Sequence, residues 1–138
     1  MAESNNTTIT VRANAAGVRQ SPRKIGIVAS LVRGRSVADA LVILGHTPKR
    51  AAQPVVKLIK SAKANALANN SLTEASLQIT QLQVTAGARL KRFKPAAMGR
   101  ALPFQKRSSH ILIEVTGEVK AKKPVVDAKQ STAKKETK

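Results

Sequence analysis

Ser108, Ser109 and His110 stand just ahead of Glu114, and together they hold a hydroxyl, an imidazole and a carboxylate. Those are the group types of a nucleophilic hydrolase. Such chemistry also needs a third group held in line and an oxyanion hole, and nothing in the flanking sequence places either. The second histidine, His46, follows Gly45 at the end of an apolar-striped segment, where a cation at a helix C-terminus is ordinary. Two distant histidines with scattered carboxylates and no cysteine do not converge into a metal site. Neither glycine-rich phosphate-binding fingerprint occurs. No catalytic residue, metal ligand or cofactor is expected.

Cations dominate instead. The chain has 138 residues with 25 Lys and Arg against 7 Asp and Glu, a net charge of +18. Self-repulsion on that scale opposes a compact state unless a polyanion neutralises it, and the usual polyanion is nucleic acid. The cations cluster. From Ala75 to Ile113 there is no acid, and that window holds Arg89, Lys91, Arg92, Lys94, Arg100, Lys106 and Arg107. Two shorter clusters, Ser21-Pro22-Arg23-Lys24 and Thr47-Pro48-Lys49-Arg50, share a design. Each puts a hydroxyl and a proline where a helix starts and two cations in its first turn. Cations sit poorly at that end of an isolated helix, but its free N–H groups and the side chains together suit a phosphate. Solvated helix starts are the alternative reading of both. Arg12 and Arg19 complete the candidate set.

These groups need elements to position them. Ile9, Val11, Ala13 and Ala15 alternate with polar residues and predict a strand ended by Gly17. Ile25, Val28, Leu31 and Val32 make the stripe of a first helix, with Gly34 placed for a left-handed terminus. Ser36 and Asp39 resemble a capping box opening a second helix, whose face is Val37, Ala40, Leu41 and Leu44 and whose end is Gly45. A third helix is expected from Thr47-Pro48, buried through Ala52, Val55, Val56, Ile59, Ala62 and Ala66, with Pro54 as a kink. Leu77 and Ile79 fall out of phase with Leu82 and Val84, so a bulge is expected near Thr80–Gln81. Ile111, Ile113 and Val115 alternate as a last strand.

Between those strands lies LKRFKPAAMGRALPFQKRSSH, residues 90–110. A structureless loop of that length is unusual inside a compact domain. A two-stranded arm turning at Met98-Gly99-Arg100 and reaching about 30 Å resolves the difficulty. Its Leu90, Phe93, Met98, Leu102 and Phe104 have no core to pack on, and a lone hairpin is marginal in water. Phosphates on several sides would order it; a floppy basic loop is the alternative. Two aromatics are too few for a platform that stacks successive bases, which favours readout by shape and phosphate position. Residues 1–8 are expected to be a flexible N-terminus, 9–119 one domain with the hairpin at 85–110, and 120–138 a disordered Lys-rich tail. The start has no signal-peptide character and no run is apolar enough to span a membrane, so a cytoplasmic protein is expected.

Taken in order, SPRK, GRSVADAL, TPKRAA, SAKANA and LKRF.P.A.GRA....KRSSHI resemble the bacterial large-subunit ribosomal protein family numbered twenty-two, over roughly Val11 to Val119. The resemblance implies an α+β fold, with three helices packed on a small three-stranded antiparallel sheet and a long protruding β-hairpin. It implies a structural role without enzymatic activity: binding of large-subunit rRNA, support of early subunit assembly, and a hairpin lining the nascent-peptide exit tunnel near the macrolide site. The implied partners are rRNA, neighbouring large-subunit proteins and the nascent polypeptide, with no membrane or small-molecule substrate.

By motif, Ser21, Pro22, Arg23 and Lys24 match a helix-start contact to rRNA. Lys106, Arg107, Ser108, Ser109 and His110 match the returning base of the hairpin. Arg92, Pro95, Ala96, Ala97, Met98, Gly99, Arg100 and Ala101 match the tip region. The chain departs from the family where Ala96 and Met98 replace common cations, where Thr85-Ala86 replaces acidic residues, and where Leu102-Pro103 replaces a frequent Asp-Arg. A different class of protein, an architectural DNA binder with a basic β-arm in the minor groove, fits the charge as well.

An arm ordered by its partner should be loose without it. In the free protein, residues Leu90 to Arg107 are expected to move on the nanosecond scale, read as low backbone order parameters in NMR relaxation. Rigid values there would show an arm that orders itself.

Overall fold

A computed structural model describes residues 8–119 of the chain. The expected flexible N-terminus, except Thr8, and the expected Lys-rich tail lie outside the described residues. The order is β1 (Thr8–Val18), α1 (Pro22–Ser30), α2 (Val37–His46), α3 (Ala52–Asn70), β2 (Gln78–Pro95) and β3 (Ala101–Glu118), with short 3₁₀ turns at Glu74–Ser76 and Ala97–Gly99. The architecture is α+β, as expected. The three strands form one antiparallel sheet in the order β1-β3-β2, so the last strand in sequence is the central one.

The core lies between one face of this sheet and the helices. Ile111, Ile113 and Val115 of β3 are fully buried beside Ile79 and Leu82 of β2. Ile25, Val28 and Val32 from α1 and the turn after it, and Val55 and Ile59 from α3, close over them. Ala52, Ala62 and Ala66 are buried on α3 and keep its backbone near the strands it crosses. With no Trp or Tyr in the chain, Leu, Ile, Val and Ala do the filling. Ile79 and Leu82 are three apart yet both buried, which a regular alternation forbids. The register shift between Ile79 and Gln81 reconciles them, and Thr80 donates its hydroxyl to the Glu114 carbonyl (3.1 Å). This is the bulge that the phase slip predicts.

Several boundaries differ from the sequence expectation. Gly17 does not end β1; it lies in a bulge between Ala15 and Val18 and the strand runs on. Leu31 lies beyond α1 and is 43% exposed, whereas Leu58 joins the buried face of α3. Gly45 is inside α2, which ends at His46. Residues Thr47 to Ala51 form a turn, and α3 starts at Ala52 rather than at Thr47-Pro48. Pro54 is therefore in the first turn, where its missing N–H costs no helical hydrogen bond, and no kink is needed. The Ser36–Asp39 cap forms: the Asp39 N–H donates to Ser36 Oγ (3.1 Å) and the Ser36 hydroxyl to Asp39 Oδ2 (2.7 Å). Ser21 occupies the N-cap position of α1, but its hydroxyl makes no capping bond.

Beyond the core, β2 and β3 continue as a two-stranded arm paired as far as Pro95↔Ala101. At its root, between Ala86 and Arg89, β2 carries a second bulge that the sequence reading did not anticipate. Gly87 sits in this bulge. A Cβ there would lie 2.7 Å from Ser108 Oγ, 3.1 Å from His110 Nε2 and 3.2 Å from the Ser108 carbonyl carbon, so only glycine lets the strands approach this closely. The arm reverses through Met98 (φ 58°) and Gly99 (φ 70°), one residue earlier than expected, closed by the Ala96 N–H donating to the Arg100 carbonyl (2.8 Å).

Substitutions at three positions test this packing. Ile113→Ala, at a fully buried central position, should cost about 2–5 kcal/mol in urea unfolding. Gly87→Ala should cost about 1–3 kcal/mol through overpacking. Gly26→Ala, inside α1 with open space where the added methyl would project, should be neutral or stabilising by up to about 1 kcal/mol. Equal effects at Gly87 and Gly26 would contradict the close approach.

Candidate nucleic-acid interface

The two helix-start clusters and the hairpin root, distant in sequence, meet around one groove of about 1120 Å³. Arg19, Gln20, Ser21 and Lys24 come from the turn before α1 and its first turn. Lys49 and Arg50 come from the α2–α3 turn. Leu90, Arg92, Gln105, Lys106, Arg107 and Ser108 come from the hairpin. Among the described residues, seven cations thus line the groove and no acid does. Gln20 joins two of the clusters, its side-chain amide donating to the Arg50 carbonyl (3.1 Å). With no acid in the first turn of α1 and no side-chain cap, the positive end of that helix is uncompensated where it meets the groove.

The acids of the described region are engaged elsewhere. Glu114 pairs with Arg12 (2.7 Å), Glu74 with Lys63, and Asp39 with Ser36. The Arg12–Glu114 pair faces away from the core on adjacent strands, so a carboxylate neutralises Arg12. Arg33, not singled out from sequence, donates Nε–H to the Leu82 carbonyl (2.9 Å) and ties the turn after α1 to β2.

The arm distributes its cations over both faces. Residues directly opposite across a ladder share a face. Arg89↔Arg107, Lys91↔Gln105 and Phe93↔Pro103 lie on one, Leu90↔Lys106, Arg92↔Phe104 and Lys94↔Leu102 on the other. Three cations project from each, and Arg100 stands just beyond the turn. Lys94 lies 5.5 Å from the Phe104 ring centre, a cation–π contact within the second face. No other described element covers the arm: Phe93 is 74% and Met98 92% exposed, and Leu90 and Leu102 are more than half exposed. Opposed Arg89 and Arg107 repel, so the ladder is weakest at its charged root.

The remaining candidates divide. Pro22 and Arg23 begin α1 beside the groove without lining it. Pro95, Ala96, Ala97, Gly99 and Ala101 form the reversal with Met98 and Arg100. Ser109, matched by motif to the hairpin base, is fully buried with its Oγ unpartnered; it faces the interior because it shares the phase of Ile111 and Ile113. His110 is interior to β3 rather than at its start, and its Nδ1 accepts the Gly17 N–H (3.1 Å) across the β1 bulge. The Ser108 hydroxyl donates to the Ala88 carbonyl (2.6 Å) across the β2 bulge. No serine bonds to His110 among the described residues, and Glu114 holds Arg12, so the nucleophile, base and acid of a hydrolase are not assembled. Sequence reasoning missed Gln20, Ile27, Ala51, Ala88, Leu90 and Gln105 as groove residues. An isolated glycine in a strand pattern, Gly87, was the available sign of the second bulge.

Comparison with known proteins agrees with this geometry. Residues 13–116 match the family model of ribosomal protein L22p/L17e. A large ribosomal subunit protein uL22 from Lactobacillus delbrueckii subsp. bulgaricus is 49% identical over 105 residues, which cover 76% of this chain and 90% of the relative. Its counterpart from Clostridium novyi is 49% identical over 104 residues, covering 75% and 94%. The counterpart from Clostridioides difficile is 47% identical over the same shares. With the three basic motifs, the sheet and the two-stranded arm all inside or spanning the matched region, the chain belongs to the ribosomal protein L22p/L17e family, a structural and non-catalytic constituent of the large ribosomal subunit.

Proposed function

We propose that this chain binds large-subunit rRNA through the groove and both faces of the arm, supports assembly of the subunit by holding separate rRNA segments together, and sets the arm's tip at the wall of the nascent-peptide exit tunnel. The observation that carries the reading is the convergence of seven cations, none paired with an acid among the described residues, from three sequence-distant motifs on one groove. Phosphate neutralisation with counterion release is the interaction such a surface makes, and Arg adds planar two-point contacts to the point charge of Lys.

In this reading residues 9–119 act as one unit whose arm spans 85–110. Arg19, Ser21, Lys24, Lys49, Arg50, Arg92, Lys106 and Arg107 hold RNA at the groove, with Pro22 and Arg23 setting the helix start. Arg89, Lys91, Lys94 and Arg100 meet phosphates along the arm. Arg12 is held by Glu114 and contributes least. Phosphates on both faces supply what the arm lacks in a core, and its exposed apolar residues then find partners in RNA, neighbouring subunit proteins and the passing polypeptide. Because Ala96 and Met98 replace cations common in the family, the tip presents the nearly fully exposed Met98 thioether with Arg100 as its adjacent charge. A passing chain meets a less charged wall there. Family membership supports this reading over the architectural DNA one.

The test is retention. The protein should stay with the large subunit through a high-salt gradient, and should prefer large-subunit rRNA over unrelated RNA at roughly 0.3 M salt, where non-specific phosphate binding has weakened. Binding no better than to unrelated RNA would refute the proposal.

A further inference from the structure

We propose that the groove holds an unstacked nucleotide of the RNA, its base seated on Ile27 and Leu90 and its flanking phosphates on the surrounding cations. The inference rests on the rRNA-binding reading and narrows the ligand from a phosphate backbone to a nucleotide turned out of its stack. The observation behind it is the mixed chemistry of the groove. A surface built only to neutralise phosphate has no use for large apolar side chains, yet Ile27 is 57% and Leu90 53% exposed and both line the groove.

Ile27 comes from α1 and Leu90 from the hairpin, so it is the fold that brings both apolar side chains to one groove. Arg19, Lys24, Lys49 and Lys106 come from three segments around it, and Gln20, fixed to the Arg50 carbonyl, and Gln105 add amides able to read a base edge. An A-form duplex offers phosphates and ribose hydroxyls at its surface and keeps its base faces stacked. It would leave Ile27 and Leu90 wet. A bulged or looped-out nucleotide presents an apolar face flanked by two phosphates, which matches an apolar floor within a cationic rim. Leu31, one turn beyond Ile27 and also exposed, does not line the groove and provides an internal control.

The experiment uses the full-length protein, large-subunit rRNA, and four RNA hairpins that carry a single-nucleotide bulge of each base, with an abasic bulge for comparison. At least one base should bind about fivefold or more tighter than the abasic hairpin, the scale expected for covering two half-exposed aliphatic side chains. Ile27→Ser and Leu90→Ser should remove that difference and leave the dependence of affinity on salt unchanged, because no charge is lost. Lys24→Gln should instead flatten the salt dependence by about one counterion and keep the base preference. Leu31→Ser should match wild type in both. All four sites are exposed, and unchanged thermal unfolding shows that each variant folds. Equal binding of all bulged and abasic hairpins, or a base preference surviving in Ile27→Ser and Leu90→Ser, overturns the nucleotide site while the preference for large-subunit rRNA stands. Loss of that preference in the wild-type protein refutes the rRNA reading and the nucleotide site with it.

Discussion

Seven cations held around one groove repel each other, and the burial of Ile111, Ile113 and Val115 beneath α1 and α3 is what keeps them together. Burial of apolar area is non-directional, so it resists the repulsion without constraining where the charges point. Directions come from the ends of the elements it packs. α1 starts, α2 hands over to α3, and β2 and β3 leave the core all on the side where the groove lies. The core thereby sets the spacing of charges that would otherwise separate.

The central strand does two jobs. Its inner half carries the side chains that the helices cover, and its outer half carries Arg107, Lys106 and the returning side of the arm. At the crossover, around Ser108 to His110, both neighbouring strands bulge. The bulges are fastened by short bonds to β3: Gly17 to His110 on one side, Ser108 to Ala88 on the other. An extra residue in a strand increases local twist and bends it. The paired bulges therefore lie where a packed sheet becomes a bare two-stranded ladder. Between Arg89 and Arg107 no residue is buried, so that part of the arm has no core of its own to order it. The same asymmetry explains why the hydroxyl and imidazole near the root do structural work and not chemistry: each is already committed to a backbone group, apart from Ser109, which is sealed in the interior.

Much of the fold was legible because its signals are local. Alternation over Ile9–Ala15 and Ile111–Thr116 marked strands, the Ser36–Asp39 cap marked α2, and the phase slip at Thr80 marked a bulge. The misplaced boundaries have a local cause in one case and a tertiary cause in the others. Thr47-Pro48 has the grammar of a helix start, but the Thr47 hydroxyl bonds back to Ile43 (2.8 Å) and closes α2 instead, which moves α3 forward and makes Pro54 harmless. Gly17 and Gly45 look like stops, yet pairing to β3 and packing of α2 carry the chain past them. Tertiary contacts outweighed propensities worth about 1 kcal/mol or less.

The sequence by itself determined that the chain is cation-rich and acid-poor, with a basic window between two strands, since charge excess and hydrophobic period need no third dimension. It could not tell that Arg12 is neutralised, that Ser109 is buried, or that SPRK, TPKR and the hairpin root share one groove. Those outcomes depend on strand order and register. Placing the last strand in the centre of the sheet sets Glu114 beside Arg12, turns Ser109 inward with Ile111, and brings Lys106 and Arg107 to the ends of helices that lie more than fifty residues away in the chain. Long-range pairing of that kind is a property of the packed sheet, not of any segment that enters it.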